Sequence, residues 1–300
     1  MRPATIICLG VAVLDLVFDV AEIPREPAKV GALGRQTRCG GPAATAAVAC
    51  SALGARTELW ARVGRDMEGD VVRAALARHG VGTGALIETD ARTVVAVVVV
   101  DQRGERLIVG HGGADLPRST LRLPLERVGQ AGAVLADVSW PEAALALFEA
   151  ARAADVPSIL DGEEHDAAAL PDLSRSAGLT VFSEGAARLL CGGAAPSRAS
   201  LAGLADLVGR DFGITLGATG SLWWVGGDLV EVPALTVVSR DTTGAGDVFH
   251  GALAFAAAER MPLVTAARFA TACAGLKVQA GAGWDGMPSR QEAEEALARL

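Results

Sequence analysis

The stretch RDTTGAGDVFHGALAFAAAE, Arg240 to Glu259, sets Gly244, Ala245 and Gly246 directly before an aspartate, Asp247. From Val248 to Ala258 every residue except His250 and Gly251 is then apolar, which predicts a helix buried almost all round. A helix start leaves backbone N–H groups without internal partners and carries the positive end of the dipole. Side chains this small let a bulky anion approach those groups. Anion binding alone gives no reason for Asp247, because like charges repel. A carboxylate that takes a proton from a hydroxyl attacking the anion does, as in phosphoryl transfer. Taken by itself, the stretch reads equally well as a plain N-cap aspartate after a glycine turn.

A site of this kind needs a rigid frame. The chain alternates short apolar runs with helical patterns, the signature of a parallel sheet covered on both faces. TIICLG is a buried first strand, and GPAATAAVACSALG a helix with Pro42 in its first turn and Gly54 as its stop. TELWARV is a strand and MEGDVVRAALARHG a helix closed by Gly80. AVLAD, PSILD, LTVFS and GITLG are four more strands, separated mainly by Ala-rich helical stretches. SRQEAEEALARL ends the chain with a capping box, Ser289 and Glu292, before an amphipathic helix.

Four segments break the alternation: VLDLVFDV, LGRQTRC, and the two runs of TVVAVVVVDQRGERLIVG around an Asp101-Gln102-Arg103-Gly104 hairpin turn. Without helices between them they predict a separate small antiparallel layer, a lid on an α/β body. No repeat or linker divides the chain, so residues 1–300 are expected to form one domain with lid segments near 13–40 and 92–112. Thr93–Val100, TVVAVVVV, is apolar on both faces, whereas a strand lying over a ligand needs only one. The second face predicts a symmetric dimer built through paired lids.

Three hundred residues at 51% hydrophobic content can bury a sizeable core. A net charge of −8 argues against a general nucleic-acid partner. Cys8, Cys39, Cys50, Cys191 and Cys273 form no CxxC pair, and their odd count fits free thiols in a reducing cytosol. Asp15 and Asp19 interrupt the N-terminal apolar stretch, so it does not fit a secretory signal. No run approaches a membrane span. The expectation is a soluble, cytoplasmic protein.

The residues DTTGAGD, followed by a small-residue helix, resemble the C-terminal signature of the ribokinase-like, or PfkB, carbohydrate kinases. The Gly-Gly pair opening a helix in CGGPAATAAVACSALG is similar to the N-terminal signature of that family. The resemblance spans nearly the whole chain. GGPAATAAVA, LADVSW, LDGE, VFSE and DTTGAGDVFHGALA look like the sulfofructose kinase branch, and ERLIVGH like ketohexokinases.

The resemblance implies a three-layer α/β/α ribokinase-like body, a β-sheet lid, and Mg2+ with ATP as phosphoryl donor. It implies that Asp247 is the base, with the Gly244, Ala245 and Gly246 amides stabilising the moving phosphoryl group. It places Asp15, Gly40, Gly41 and Thr45 against the sugar, with Arg106 and His111 reaching it from the lid; for Asp15 a hinge residue, for Arg106 an exposed strand charge and for His111 a solvated loop residue are the alternatives. It places the TLGATGS loop, with Thr215, Gly217 and Gly220, near the ATP phosphates, against an ordinary glycine turn. Ala280 and Gly283 of AGAGWDG would flank adenine. Asp241 and Thr243 match positions where some members hold a monovalent cation such as K+.

Three positions depart from the pattern. Thr45 stands where an asparagine usually contacts the sugar, and keeps a hydroxyl without the amide's donor and acceptor pair. The usual Asn-x-x-Glu near the magnesium site reads Ser183-Glu184-Gly185-Ala186, so the final acid is absent and Glu184 is the available substitute. Ser139 stands where sulfofructose kinases carry a sulfonate-clasping arginine, and a serine offers no charged bidentate fork.

The leading expectation is an ATP-dependent kinase for a primary hydroxyl of a ketose-like sugar, fructose-like or sulfofructose-like. Ribokinase, 2-keto-3-deoxygluconate kinase and nucleoside kinase activities are the alternatives within the fold. A catalytically idle sugar or nucleotide sensor is the alternative outside enzymes, and the intact Asp247 argues against it. A dinucleotide dehydrogenase is excluded because no G-x-G-x-x-G follows the first strand.

Overall fold

The computed structural model describes residues 4–103 and 105–300. Gly104, in the expected hairpin turn, and residues 1–3 lie outside them. Strand β1 (Thr5–Gly10) leads into the lid strands β2 (Val13–Asp19) and β3 (Gly34–Gly40). Helix α1 (Pro42–Ala52), β4 (Arg56–Gly64), α2 (Met67–Arg78) and the short β5 (Val81–Gly82) and β6 (Ile87–Thr89) return to the body. The lid is then completed by β7 (Val94–Val100) and β8 (Arg106–His111). From there β9 (Ala133–Ala136), α3 (Pro141–Ala153), β10 (Ser158–Gly162), α4 (Leu170–Ser176), β11 (Leu179–Ser183), α5 (Glu184–Leu190), α6 (Arg198–Val208) and β12 (Phe212–Thr215) follow in alternation. A hairpin of β13 (Ser221–Val225) and β14 (Asp228–Val232) precedes α7 (Ala245–Ala258), α8 (Leu263–Ala280) and α9 (Arg290–Leu297).

The body sheet runs β14-β13-β12-β11-β10-β9-β1-β4-β5, with β6 also on β4. It is parallel from β12 to β5, and the β13–β14 hairpin adds an antiparallel edge. Burial on both faces explains why its strands read as unbroken apolar runs. In β1, Ile6 and Cys8 point into the core shared with α1, α7 and α8, while Ile7 and Leu9 point into the core shared with α3, α4 and α6. These two cores are the two interfaces of the three-layer body. As expected, α7 is buried around its circumference from Val248 to Ala256. Its Gly251 lets α1 come so close that a Cβ there would lie 2.5 Å from the Ala46 carbonyl oxygen.

The lid runs β3-β2-β7-β8. It is mixed rather than antiparallel: β2 pairs antiparallel with β3, and β7 with β8, but the central pair β2–β7 is parallel. The chain between β2 and β7 passes through the body, and so long a connection permits the parallel pairing that a short turn forbids. Among the described residues no helix is long and apolar enough to cross a membrane.

Candidate active site

The chemistry-bearing side chains gather at the carboxyl ends of the parallel strands, where the order reverses at β1 between β4 and β9. Asp137, just past β9, pins this junction. Its Oδ2 accepts hydrogen bonds from Val11 N (2.9 Å) and from Ala43 N (3.1 Å) in the first turn of α1. Its Oδ1 accepts from Ser139 N (2.9 Å) and from the Ser139 hydroxyl. One buried carboxylate thereby ties together β1, α1 and β9. Gly10 is the condition for this, since a Cβ there would lie 2.1 Å from Asp137 Oδ2. Burial still raises the Asp137 pKa, with those donors opposing it.

Gly244, in the left-handed conformation at φ 75°, caps the start of α7, and Asp247 lies in its first turn. The Asp247 side chain is half-buried beside Thr45, its hydrogen-bonding neighbour. Burial, then the charges of Asp161 and Asp137, push its pKa up to about 7, against the pull of His250 and Thr45. His250, one turn further along α7, sets Nδ1 2.8 Å from the Gly246 carbonyl and Nε2 3.2 Å from the Val181 carbonyl. Both are acceptors, and a neutral ring could donate to only one of them. Asp161, at the end of β10, lies 3.4 Å from His250 Nε2, and its buried Oδ1 has no hydrogen-bond partner.

Beside this turn opens a cavity of about 560 Å3 lined by Thr215, Gly217, Gly220, Ala245, Gly246 and Phe249. Its far wall is Leu235, Val237, Ala274 and Val278. A largely apolar slot that ends on backbone N–H groups at a helix start suits a flat ring joined to an anionic chain. Asp15 of β2 packs over Gly40, where a Cβ would lie 2.5 Å from Asp15 Oδ2. Gly41 opens α1 at φ 95°, with a would-be Cβ 2.5 Å from the Val11 carbonyl oxygen.

The chain from residue 3 to residue 290 matches the model of the pfkB family carbohydrate kinases. The chain belongs to this family. It is 30% identical to the ribokinase of Bacillus subtilis over 96% of this chain and 98% of that one. Among solved structures, a provisionally assigned ribokinase from Agrobacterium tumefaciens is 34% identical, with a TM-score of 0.91 over 99% of this chain and 98% of that one. Arabidopsis thaliana ribokinase, solved with ribose and ATP, is 26% identical, with a TM-score of 0.87 over 99% of both chains. The protein is therefore a phosphotransferase that acts on a sugar hydroxyl, built on the ribokinase-like α/β fold.

Several residues expected at the kinase site sit elsewhere or do something else. Ala280 and Gly283 do not line the cavity; Gly283 faces Arg38 of the lid, and neighbouring Trp284 reaches across to donate from Nε1 to Thr45 Oγ1 (3.0 Å). Thr45, in the place of an amide, is thus held between Trp284 and Asp247. Glu184 is taken up by Arg188 one turn along α5 (2.7 Å). The acids that face the site come from the loop after β10 instead. Glu163 is half-buried near Asp247 and raised by burial, and Glu164 accepts from the Ser183 hydroxyl (2.8 Å).

Ser139 does not present a free hydroxyl, because Asp137 holds it. His111 lies exposed at the end of the edge strand β8. Arg106 turns to Asp241 Oδ1 (3.2 Å), and Arg38 of β3 to Asp241 Oδ2 (3.3 Å), so that two lid arginines grip one body carboxylate. Thr243 contributes its backbone N–H to Asp241 Oδ1 (2.9 Å).

Asp137, Asp161 and Glu163 escaped notice in the sequence. The available signal was an acid ending an apolar parallel strand, in AVLAD and PSILD.

Proposed function

We propose that this kinase transfers the γ-phosphoryl group of ATP to a primary hydroxyl of a neutral sugar, with ribose and fructose as the first candidates. The observation that carries the reading is Asp247, a half-buried carboxyl with a pKa of about 7, next in the chain to the cavity-lining Gly246 and hydrogen-bonded to Thr45 of the helix that Gly41 opens. A base is most effective when its pKa lies near the working pH. ATP is assigned to the cavity, with adenine against Val237 and Val278 and its phosphates toward Thr215, Gly217, Gly220 and the Gly244–Gly246 turn. Asp15 and the Gly40–Gly41 backbone hold the sugar. Its hydroxyl oxygen gives its proton to Asp247 and bonds to the γ-phosphorus while the bond from that phosphorus to the β–γ bridging oxygen breaks, leaving the electron pair on ADP. The N–H groups at the start of α7 meet the charge spreading over the phosphoryl oxygens.

The donors near Asp247 fit Mg2+, which takes oxygen ligands and keeps several waters. Glu163 offers a carboxylate, and Asp161 an oxygen without a hydrogen-bond partner. When bound with ATP, the ion neutralises β- and γ-phosphate charge.

Ribose enters through the names of the relatives, and fructose through the ketohexokinase-like segment ERLIVGH. A sulfonate is disfavoured: the position where an arginine would clasp it carries a serine whose hydroxyl is held by a buried carboxylate. Coupled measurement of ADP formation over ribose, fructose, other ketoses, sugar acids, sulfofructose and nucleosides tests the reading. Turnover confined to acids, sulfosugars or nucleosides, or no ADP with any of them, overturns it.

We read residues 1–300 as one kinase domain whose lid arises from segments 13–40 and 92–112. The five thiols are free, which supports a place of action in the reducing cytoplasm. The kinase is also proposed to dimerise through its lids. Strand β8 is an edge strand whose Leu107, Ile108 and Val109 are 47%, 60% and 57% exposed, an apolar edge that a second copy would cover. Light scattering is expected to give a dimer at micromolar concentration, and a monomer there refutes the pairing.

A further inference from the structure

Lys277, near the end of α8, is among the largest fully buried side chains, at 1% exposure. A lysine is almost never buried so completely unless its ammonium has a task. Its Nζ donates to the Gly281 carbonyl oxygen (3.3 Å) in the loop that follows α8. That loop lies directly against the start of the anion-binding segment: a Cβ on Gly281 would lie 3.6 Å from the Arg240 Cβ and 3.7 Å from the Asp241 Cβ. Arg240 N and Asp241 N both donate to the Val278 carbonyl, the residue next to Lys277 (3.0 and 3.3 Å). The ammonium therefore sits where the 240–247 and 281–286 loops meet; burial above all, and then Arg38, lower its pKa, while the charges of Asp241 and Asp247 favour the ammonium.

Asp241 and Thr243 are the residues that suggested a monovalent cation, and the donor set around them does not fit one. Asp241 Oδ1 already accepts from Thr243 N and Arg106, and Oδ2 from Arg38. Burial works against the Asp241 charge, yet the Thr243 hydrogen bonds and the charges of Lys277 and Arg106 hold its pKa below the usual range. One carboxylate thus pairs with two lid arginines and lies in the field of the buried Lys277, and a further positive charge there is repelled rather than bound.

We infer that the Lys277 ammonium is a tethered cation that holds the anion-binding loop in place and makes this kinase independent of K+. Lys277 is a positioning residue. It acts through Asp241 and Gly281 on the turn that carries Gly244 to Asp247, and a small displacement of that turn can cost about 100-fold in rate.

The inference rests on the kinase reading for its consequence, but its test does not. Thermal unfolding of the native protein is compared in KCl and in N-methylglucamine chloride at equal ionic strength, without sugar or ATP, together with 205Tl NMR for direct binding of a K+ mimic. The native protein is expected to show the same Tm in both salts and no saturable Tl+ binding. Lys277→Met is expected to melt earlier and to lose ADP formation by about 10-fold or more, with K+ or NH4+ restoring part of both in a saturable way. A saturable K+ rise in native Tm, or Tl+ binding to the native protein, overturns the inference, even if the variant cannot be obtained folded. So does a Lys277→Met protein with native Tm and native ADP formation in the absence of any small cation.

Discussion

The body and the lid each bring one carboxyl group to the proposed sugar site, and burial raises both. Asp247 of the body rises to about 7 and Asp15 of the lid to about 6. What separates them is the company each keeps. Asp247 has the acids Asp161 and Asp137 behind it, which add to the desolvation penalty. Asp15 stands opposite Arg38 across the β2–β3 pairing, and that charge pulls its pKa back down. At neutral pH the lid carboxyl is therefore mostly ionised and suited to accepting hydrogen bonds from sugar hydroxyls. The body carboxyl is balanced between its two states and suited to receiving a proton.

The sharpest way to break this division of labour is Asp247→Asn. It should abolish turnover, costing about 100- to 10,000-fold in kcat, while ATP and sugar still bind. Near-normal kcat on the true substrate would show that the body carboxyl is not the base.

The same contrast between regions governs how much of the molecule could be read in the sequence. Body strands such as β9 and β10 are buried at every residue, so hydrophobicity alone marks them, and the small-residue turn before α7 stands out against an apolar helix. Asp247 was legible for that reason. In the lid, β8 is exposed at all six positions, and the parallel β2–β7 register depends on a connection that passes through the body. Local pattern carries no trace of such a pairing. Partners created only by folding were equally hidden: Trp284 on Thr45, Asp137 on Ser139, and Lys277 beside Asp241. The family resemblance put Ala280 and Gly283 beside adenine, and nothing in the local pattern shows that this loop also packs on Arg38 of the lid.

A second test uses pH. Ionised Asp247 is the active form, so kcat/KM should fall by about tenfold per unit below its pKa of about 7, reaching about a hundredfold loss at pH 5. Stability should move the other way. The folded state holds this proton to a higher pH than the unfolded chain, so the contribution of Asp247 is fully present at low pH and is lost as pH rises through about 7. Asp247→Asn cannot ionise, and its Tm should exceed the native value at pH 8 but not at pH 4. A flat rate profile from pH 5 to 8, or no difference in Tm between the two pH values, would place the proton acceptor elsewhere.

On the lid side, Asp15→Asn keeps the shape and removes the charge. Losing charge-assisted hydrogen bonds to sugar hydroxyls costs about 1.5–3 kcal/mol, or about 10- to 100-fold in kcat/KM. Most of the loss should appear in KM for the sugar, with KM for ATP unchanged. A loss confined to kcat would mean that the lid carboxyl takes part in proton transfer, and the division between the regions would fail.

The smallest effect is expected at Ser139, just past β9 in the body. An arginine introduced there would find the buried Asp137 carboxylate already in place, along with Arg62, whose guanidinium donates to the Ser139 carbonyl (3.3 Å). The new cation would be partly neutralised by the first and repelled by the second. Ser139→Arg should therefore raise the ratio of kcat/KM for sulfofructose to that for fructose by less than about tenfold, the scale of one partly screened charge pair. The native protein should prefer the neutral sugar, because a buried sulfonate without a charged partner is costly. A native preference for sulfofructose would show that a lid cation serves the sulfonate. Arg38 and Arg106 would then have to leave Asp241 when substrate binds, and Arg38→Ala or Arg106→Ala would lose the preference, whereas under the neutral-sugar reading neither variant changes it.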